Sequence, residues 1–197
     1  VDVNPNAQIG AVMDPVGGDM ISGRGNGRLE VQYATNDPLW LMGKYTIDEG
    51  QYDFSLEQLY FRKFAIHQGS SITFKGDPMQ AALDVKAAYT VQASLSDLDQ
   101  QLLNYSAKSR VPVDCVINVS GQLEYPNISF DIELPDAPAE LERQVKRYMR
   151  TEDLLNRQML YLLVLNRFYT SPEFTTSNTL SPLRSYTEII AIVVVIK

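Results

Sequence analysis

Residues 83–95 read LDVKAAYTVQASL and alternate apolar with mostly polar side chains without a break. Successive side chains of a β-strand point to opposite faces, so this pattern predicts one long strand with a single apolar face. Thirteen residues at ~3.3 Å each would span about 43 Å, whereas strands of globular domains average ~5–6 residues. A strand of this length needs a long apolar surface to cover, and that surface is the strongest indication of function in the sequence.

Shorter alternating segments and turn-forming residues fill the rest of the chain up to about Leu134. The glycines of residues 23–27 predict a tight connection in which positive φ is permitted. Residues 48–50, Asp-Glu-Gly, predict a hairpin turn, and residues 76–78, Gly-Asp-Pro, predict the corner before the long strand. Strands are predicted at residues 1–3, 9–13, 28–33, 39–47, 52–56, 61–66, 72–74, 83–95, 111–120 and 128–134.

The pattern changes at Pro135. Helices are predicted at residues 139–148 and 152–165, where no glycine occurs and no proline follows Pro138. Thr151 can cap the second helix, because acidic residues follow it in the first turn. The second helix is apolar on more than one side and is expected to be buried. The chain therefore divides into a β region at 1–135, a helical segment at 136–168, and a tail at 169–197 with a β-prone end, IIAIVVVI.

A basic cluster lies on and after the first predicted helix. Its usual interpretation is a solvated helix face, and the alternative is docking to lipid head groups or to an acidic partner. The cluster consists of Arg143, Lys146, Arg147 and Arg150.

Composition limits the function class. The chain has 197 residues, is 45% hydrophobic and carries a formal net charge of −7 at pH 7. Nucleic-acid binders normally present a basic patch, so this balance argues against that class. The start at Val1 suggests a fragment or a processed chain. Its first residues do not resemble a signal peptide, and no stretch of ~20 apolar residues is present to span a membrane.

Candidate residues for chemistry are sparse. His67 is the only histidine and is expected at a turn or surface, while Cys115, the only cysteine, is expected to be a small buried hydrophobe. The glycine-rich residues 23–27 lack the Gly-Lys-Ser/Thr ending of a phosphate loop. We therefore predict no catalytic residue, no cofactor and no metal site. Four aspartates in turns could bind calcium in principle, but aspartate is favoured in turns for local hydrogen bonding: Asp14, Asp19, Asp77 and Asp136.

Several ordered pieces of the chain resemble the C-terminal domain of the TamB-type translocation and assembly module proteins, which belong to the AsmA-like group. The sequences of these pieces are most similar to those of family members from Bacteroidota. The tail after about Ser181 departs from the family pattern. The matching pieces are MDPVGGDMISGRGNGRLEV at 13–31, GKYTIDEGQYDFSL at 43–56, GSSITFKGDPMQAALDVKAAYTVQASLSDL at 69–98, VPVDCVINVSGQLEYPNISFDIELP at 111–135 and LLNRQMLYLLVLNRF at 154–168.

The resemblance implies a mainly β fold in which a long, curved, antiparallel-rich sheet forms a trough, or β-taco, followed by one or two helices. It also implies a protein that crosses the periplasm, is tethered to the inner membrane by a segment missing from this chain, and meets an outer-membrane barrel of the BamA or TamA type. The implied roles are phospholipid transport between the membranes and help in assembling outer-membrane proteins, neither of which requires an enzyme.

An apolar trough would hold phospholipid acyl chains on its inner face. The same alternation is also typical of the closed core of a β-sandwich or barrel. A second hypothesis is a protein–protein module that docks the barrel by edge-strand pairing without carrying lipid. An enzyme is the third, and no motif supports it. The residues expected to line the lipid groove are Leu29, Val31, Tyr45, Ile47, Phe54, Phe74, Leu83, Val85, Val91, Leu95, Val113, Ile117, Phe130 and Ile132.

Overall fold

The computed structural model describes residues 2–3, 7–14, 18–33, 38–56, 60–105 and 110–170. The predicted tail at 169–197 therefore lies almost entirely outside the described residues. Four short 3₁₀ segments occur at Pro78–Gln80, Leu95–Asp97, Gln100–Tyr105 and Arg147–Met149. The strands and helices are β1 (Asp2–Val3), β2 (Gln8–Asp14), β3 (Asp19–Gln32), β4 (Trp40–Leu56), β5 (Tyr60–Ile66), β6 (Ser71–Gly76), β7 (Ala82–Ala93), β8 (Val111–Gln122), β9 (Pro126–Glu133), α1 (Ala139–Lys146) and α2 (Glu152–Leu165).

All nine described strands join one antiparallel sheet in the order β1-β3-β4-β5-β7-β8-β9. β2 also pairs with β3, and β6 fits between β4 and β7 beside β5. Within the described residues the sheet is not closed into a barrel. The prediction of a mainly β fold with a large antiparallel sheet and two C-terminal helices is confirmed.

β7 confirms the long alternating strand. Its inward side chains, such as Val85 and Val91, are buried, whereas Asp84 and Thr90 on the other face are exposed. The strand ends at Ala93, earlier than predicted. Leu95 lies in the following 3₁₀ turn and is still buried. The alternation therefore identified the correct buried face and misjudged only the end of the strand.

The sheet curls strongly. Four strand spacings separate β4 from β9 in the sheet order, which is about 19 Å in a flat sheet at ~4.8 Å per strand. The rings of Phe54 on β4 and Phe130 on β9 nevertheless meet edge to face, with their centroids 6.4 Å apart. The inner face of the sheet is therefore wrapped into a trough whose sides touch at this point.

The prediction of a turn at residues 23–27 is wrong. These residues lie inside β3, paired with β4, and none of the three glycines has a positive φ. A Cβ atom on Gly25 would overlap the carbonyl oxygen of Thr46, and one on Gly27 would crowd that of Lys44. The glycines are needed here because the two backbones approach closely.

The prediction of a hairpin turn at residues 48–50 is also wrong, because β4 runs through them without ending. Arg24 pairs with Glu49 and Gly25 pairs with Ile47, which leaves Asp48 as an extra residue on β4. This is a β-bulge, and a bulge bends the strand and increases its twist. The Asn26 side-chain amide donates to Asp48 Oδ2 at 2.8 Å and holds the bulged residue. The bulge helps the sheet to curl.

The two helices begin where predicted. The Leu154 backbone amide donates to Thr151 Oγ1 at 3.3 Å, which confirms Thr151 as the cap of α2. α1 ends at Lys146 and continues only as a 3₁₀ turn. Tyr148 lies within this 3₁₀ turn, and its Oη donates to Asp99 Oδ2 at 2.7 Å. This hydrogen bond connects the helical segment to the loop after β7. Burial and this aspartate raise the pKa of Tyr148 to about 12.

Replacing Gly25 by alanine should destabilise the protein by at least ~2 kcal/mol, because steric strain is among the few mechanisms behind large mutational losses. The loss would be measured as a lower urea midpoint at unchanged slope. Gly10→Ala is the matched control, since a Cβ there meets nothing closer than the Ile21 carbonyl oxygen at 3.6 Å. Equal midpoints for the two variants would contradict a close approach of β3 and β4.

Candidate functional site: an apolar trough

Thirteen of the fourteen residues predicted to line a groove are covered, and all of these except Leu29 belong to one apolar core on the inner face of the sheet and the turn after β7. Only Val31 is exposed, at 48%. Their role in holding lipid stays a prediction. The buried ones are Leu29, Tyr45, Ile47, Leu83, Val85, Val91, Leu95, Val113, Ile117 and Ile132, and the half-buried ones are Phe54, Phe74 and Phe130.

Tyrosine hydroxyls on the inner face find partners at the trough wall. Tyr45 Oη donates to the Ala7 carbonyl oxygen at 3.2 Å, and Tyr52 Oη donates to Asp19 Oδ2 at 2.9 Å. Burial raises the pKa of Tyr45, with a smaller contribution from Asp48. Both large rings can therefore face the apolar interior, because a buried polar atom costs little once it is hydrogen-bonded.

Helix α2 covers the inner face of β7, β8 and β9. Met159, Leu162 and Leu163 belong to the same core as the sheet residues, and Phe168 follows them into it. Gln158 is buried and binds Tyr169 through both ends of its amide, at 2.9 Å and 2.8 Å. The chain after α2 thus turns back along the helix, and α2 is covered on more than one side, as predicted.

Arg62 is a charged residue on the apolar inner face, two residues before Phe64 on β5. Its Nη2 and Nε donate to the Leu163 carbonyl oxygen at 2.7 Å and 3.1 Å. Its guanidinium carbon lies 5.7 Å from the centre of the Tyr89 ring. The last carbonyls of a helix have no partner within the helix and carry partial negative charge. Arg62 therefore fastens the C-terminal end of α2 to the sheet.

A second arginine binds the same end of α2. Arg110 Nη2 donates to the Asn166 carbonyl oxygen at 2.9 Å and to the Gln92 carbonyl oxygen at 2.6 Å. Asn166 ends the helix in the left-handed conformation, with φ of 53°. Arg62 lies near the start of β5, and Arg110 immediately precedes β8 and binds the end of β7. Both arginines therefore lie at the same end of the strands.

The opposite end of the strands, here called the open end, exposes large apolar side chains on one strand and two connections. Val31 is the second-last residue of β3, Met79 lies between β6 and β7 and is 50% exposed, and Tyr125 lies between β8 and β9 and is 74% exposed. The Glu124 amide donates to the Met79 carbonyl oxygen at 2.9 Å, which holds the last two connections together. Exposed apolar side chains therefore lie at this end of the strands.

Sequence reasoning did not find Arg62, Met79 or Tyr125. Arg62 alternates in phase with Phe64 and Ile66 along β5. A cationic side chain on an otherwise apolar strand face was the feature of the sequence that could have identified it. Met79 and Tyr125 lie in turns, where alternation carries no information. Which turns lie side by side is decided by the pairing of strands that are distant in the chain.

A shallow depression of about 380 Å³ lies at the bulge between β3 and β4. It is lined mainly by polar and charged side chains, among them Gln8, Arg24, Glu49 and Gln51. Arg24 and Glu49 are exposed and oppose each other across the strand pair. The depression is open and polar, so it offers no place for an acyl chain.

Two members of the basic cluster, Arg143 and Lys146, have acidic partners nearby. Arg143 binds Glu140 at 2.5 Å, and Lys146 binds Asp131 at 3.2 Å and Glu142 at 3.3 Å. All of these side chains are substantially exposed. The arrangement fits the interpretation as a solvated helix face.

His67 is exposed at the turn after β5, and Cys115 is fully buried on β8, as predicted for both. In the part of the chain that the structure describes, no three His, Cys, Asp or Glu side chains come together to bind a metal ion. Burial, with a smaller effect of Asp114, raises the pKa of the Cys115 thiol to about 12. Reactive cysteines have lowered pKa values, so this thiol is inert in the folded protein.

Comparison with protein families decides the assignment. The family described as TamB C-terminal domain matches residues 1–188. This chain belongs to the TamB family. No curated protein matches the chain, and no solved structure does. TamB proteins are non-enzymatic envelope components that span the periplasm, and membership indicates involvement in the translocation and assembly module and association with outer-membrane assembly machinery.

Among the described helices of this TamB domain, none has both the length and the apolar character needed to cross a membrane.

Cys115 should resist thiol reagents in the native protein at pH 8 and react within seconds to minutes after denaturation. Thr90→Cys, on the exposed face of the adjacent strand, is the positive control and should be labelled in the native state. Mass spectrometry of the native variant should show one label. Two labels on the native variant would contradict the buried position of Cys115.

The raised pKa of the Cys115 thiol also makes stability depend on pH. Its contribution to the free energy of unfolding is present below about pH 9 and is lost as the pH rises toward 12.

Proposed function

We propose that this TamB domain carries the acyl chains of phospholipids along its trough, without enzymatic activity and without a cofactor. One observation carries the proposal. The inner face of the sheet carries one apolar core that extends from β3 to β9, its outer face is mostly polar, and Val31 is exposed where β3 ends at the open end.

Energetics support an apolar path for lipid. Transfer of an acyl chain into water costs ~0.8 kcal/mol per CH₂ group, so a chain of about 16 carbons needs an apolar environment worth about 13 kcal/mol. A continuous apolar inner face supplies such an environment, while the head group stays in water at the open end. This arrangement requires no acid, base or nucleophile.

We propose that this chain is part of a longer protein, in which the domain lies near the outer membrane. We propose that a segment outside this chain tethers it to the inner membrane, and that a barrel protein of the BamA or TamA type receives it. Support comes from membership of an envelope family that spans the periplasm. Origin from Bacteroidota stays a prediction.

A photoreactive residue at position 31 should form adducts with phospholipid when the protein is incubated with phosphatidylethanolamine–phosphatidylglycerol vesicles. Position 32 is the matched control, since Gln32 is also exposed but faces the other side of β3. Mass spectrometry of the irradiated protein should show lipid adducts several-fold more often at position 31. Equal labelling at the two positions, or none at either, would refute lipid contact at the open end.

A second candidate function is docking of the outer-membrane barrel by edge-strand pairing. The observation in its favour is that the sheet is not closed, so that β9 pairs with β8 on one side and with no other described strand. An unpaired edge presents backbone donors and acceptors that another strand can bind. In this role β9 would extend its sheet into the partner.

Proline substitution separates the two functions. Successive residues of a strand point their backbone N–H groups to opposite sides. One of the variants Ile128→Pro and Ser129→Pro therefore removes a backbone hydrogen bond to β8, and the other removes an N–H donor from the free edge of β9. The variant that keeps its thermal stability should lose barrel binding by at least tenfold in a pull-down with the purified barrel, and should still bind lipid. Unchanged barrel binding in that variant would rule out docking through β9.

A further inference from the structure

Helix α2 lies on a fully buried part of the inner face. Val113, Cys115 and Ile117 of β8 have no exposed surface, and Met159 and Leu162 of α2 lie in the same core. If acyl chains follow the inner face across the sheet, their path reaches β7, β8 and β9, where the helix lies. The helix and an acyl chain would therefore occupy the same apolar surface.

The helix is fastened mainly at its C-terminal end. Arg62 and Arg110 donate to the carbonyl oxygens of Leu163 and Asn166 there. The first turn is different, because Glu152 and Asp153 are exposed and Leu154 is only half-buried. Removal of α2 from the sheet thus requires the loss of a few hydrogen bonds to neutral carbonyl groups, besides its apolar contacts.

The sequence of α2 suits a helix that exchanges one apolar environment for another. Residues 159–163 are apolar and buried in succession, so apolar side chains surround the C-terminal half of the helix and do not form a single stripe. A helical segment that is apolar all round is stable only when covered by protein or by lipid. Lipid that replaces α2 on the sheet would therefore also cover the helix that it displaces.

We propose that the inner face of β7, β8 and β9 beneath α2 is an acyl-chain binding site, and that a diacyl phospholipid displaces α2 when it binds. This inference rests on the proposed function. α2 is then a reversible occupant of the trough: it covers the apolar surface while lipid is absent, and Arg62 sets how readily it leaves.

Arg62→Met tests the role of the arginine, because it removes the hydrogen bonds to Leu163 and keeps an apolar stem of similar length. A site open only when α2 is away has an apparent affinity proportional to the open fraction. Amides of residues 158–165 should exchange about tenfold faster in the variant, and lipid affinity should rise by a similar factor. Lys63→Met, at a side chain that is 74% exposed, is the control and should change neither quantity.

The measurement uses the full chain and diheptanoylphosphatidylcholine below its micelle concentration, with hydrogen exchange followed by mass spectrometry. In the wild-type protein, bound lipid should speed the exchange of amides 158–165 while β7 and β8 amides stay protected. Lipid that binds and leaves α2 exchange unchanged or slower overturns displacement but leaves lipid carriage intact. Absence of binding to wild type and to Arg62→Met overturns both. Faster exchange throughout the sheet of Arg62→Met with no gain in affinity would make Arg62 a stability residue and refute its role in holding α2.

Discussion

The close approach of β3 and β4 at Gly25 is the constraint on which the rest of the structure depends. A single sheet with one apolar face must bury that face, and this sheet does so largely by curling over itself. The absence of a side chain at Gly25 and the extra residue at Asp48 allow the long strand pair to bend. The curl then brings Phe54 into contact with Phe130, and the large inward side chains become a core.

The curl leaves part of the inner face uncovered, and α2 completes the burial over β7, β8 and β9. An apolar helix placed there ends with unpaired carbonyl groups near an apolar surface, which would be unfavourable without donors. Arg62 supplies donors from within the sheet, and its own charge is accommodated by the carbonyl dipole and the face of the Tyr89 ring. The sheet and the helix thus depend on each other for burial and for hydrogen bonding.

Sequence alone predicted the features that depend on local periodicity. The strands, the buried face of β7 and the start of α2 at Glu152 follow from the spacing of apolar residues and from the capping residue Thr151. Residues 23–27 and 48–50 misled because glycine and acidic residues favour turns locally, while their actual role depends on a partner strand about twenty residues away. The open end was not predictable for the same reason, since the connections that carry Met79 and Tyr125 are brought together only by long-range strand pairing.

Burial of the predicted lining residues bears directly on lipid carriage. Val113, Ile117 and Ile132 have no exposed surface, so the inner face of β8 and β9 is covered at these residues without a lipid. A permanently open trough would expose a continuous apolar strip larger than a soluble domain tolerates. A carrier of this kind therefore needs a surface that is apolar when lipid is present and covered when it is absent. With the proposed displacement of α2, a curled sheet meets both requirements, because the apolar helix covers the surface while lipid is absent and acyl chains cover it when lipid is bound.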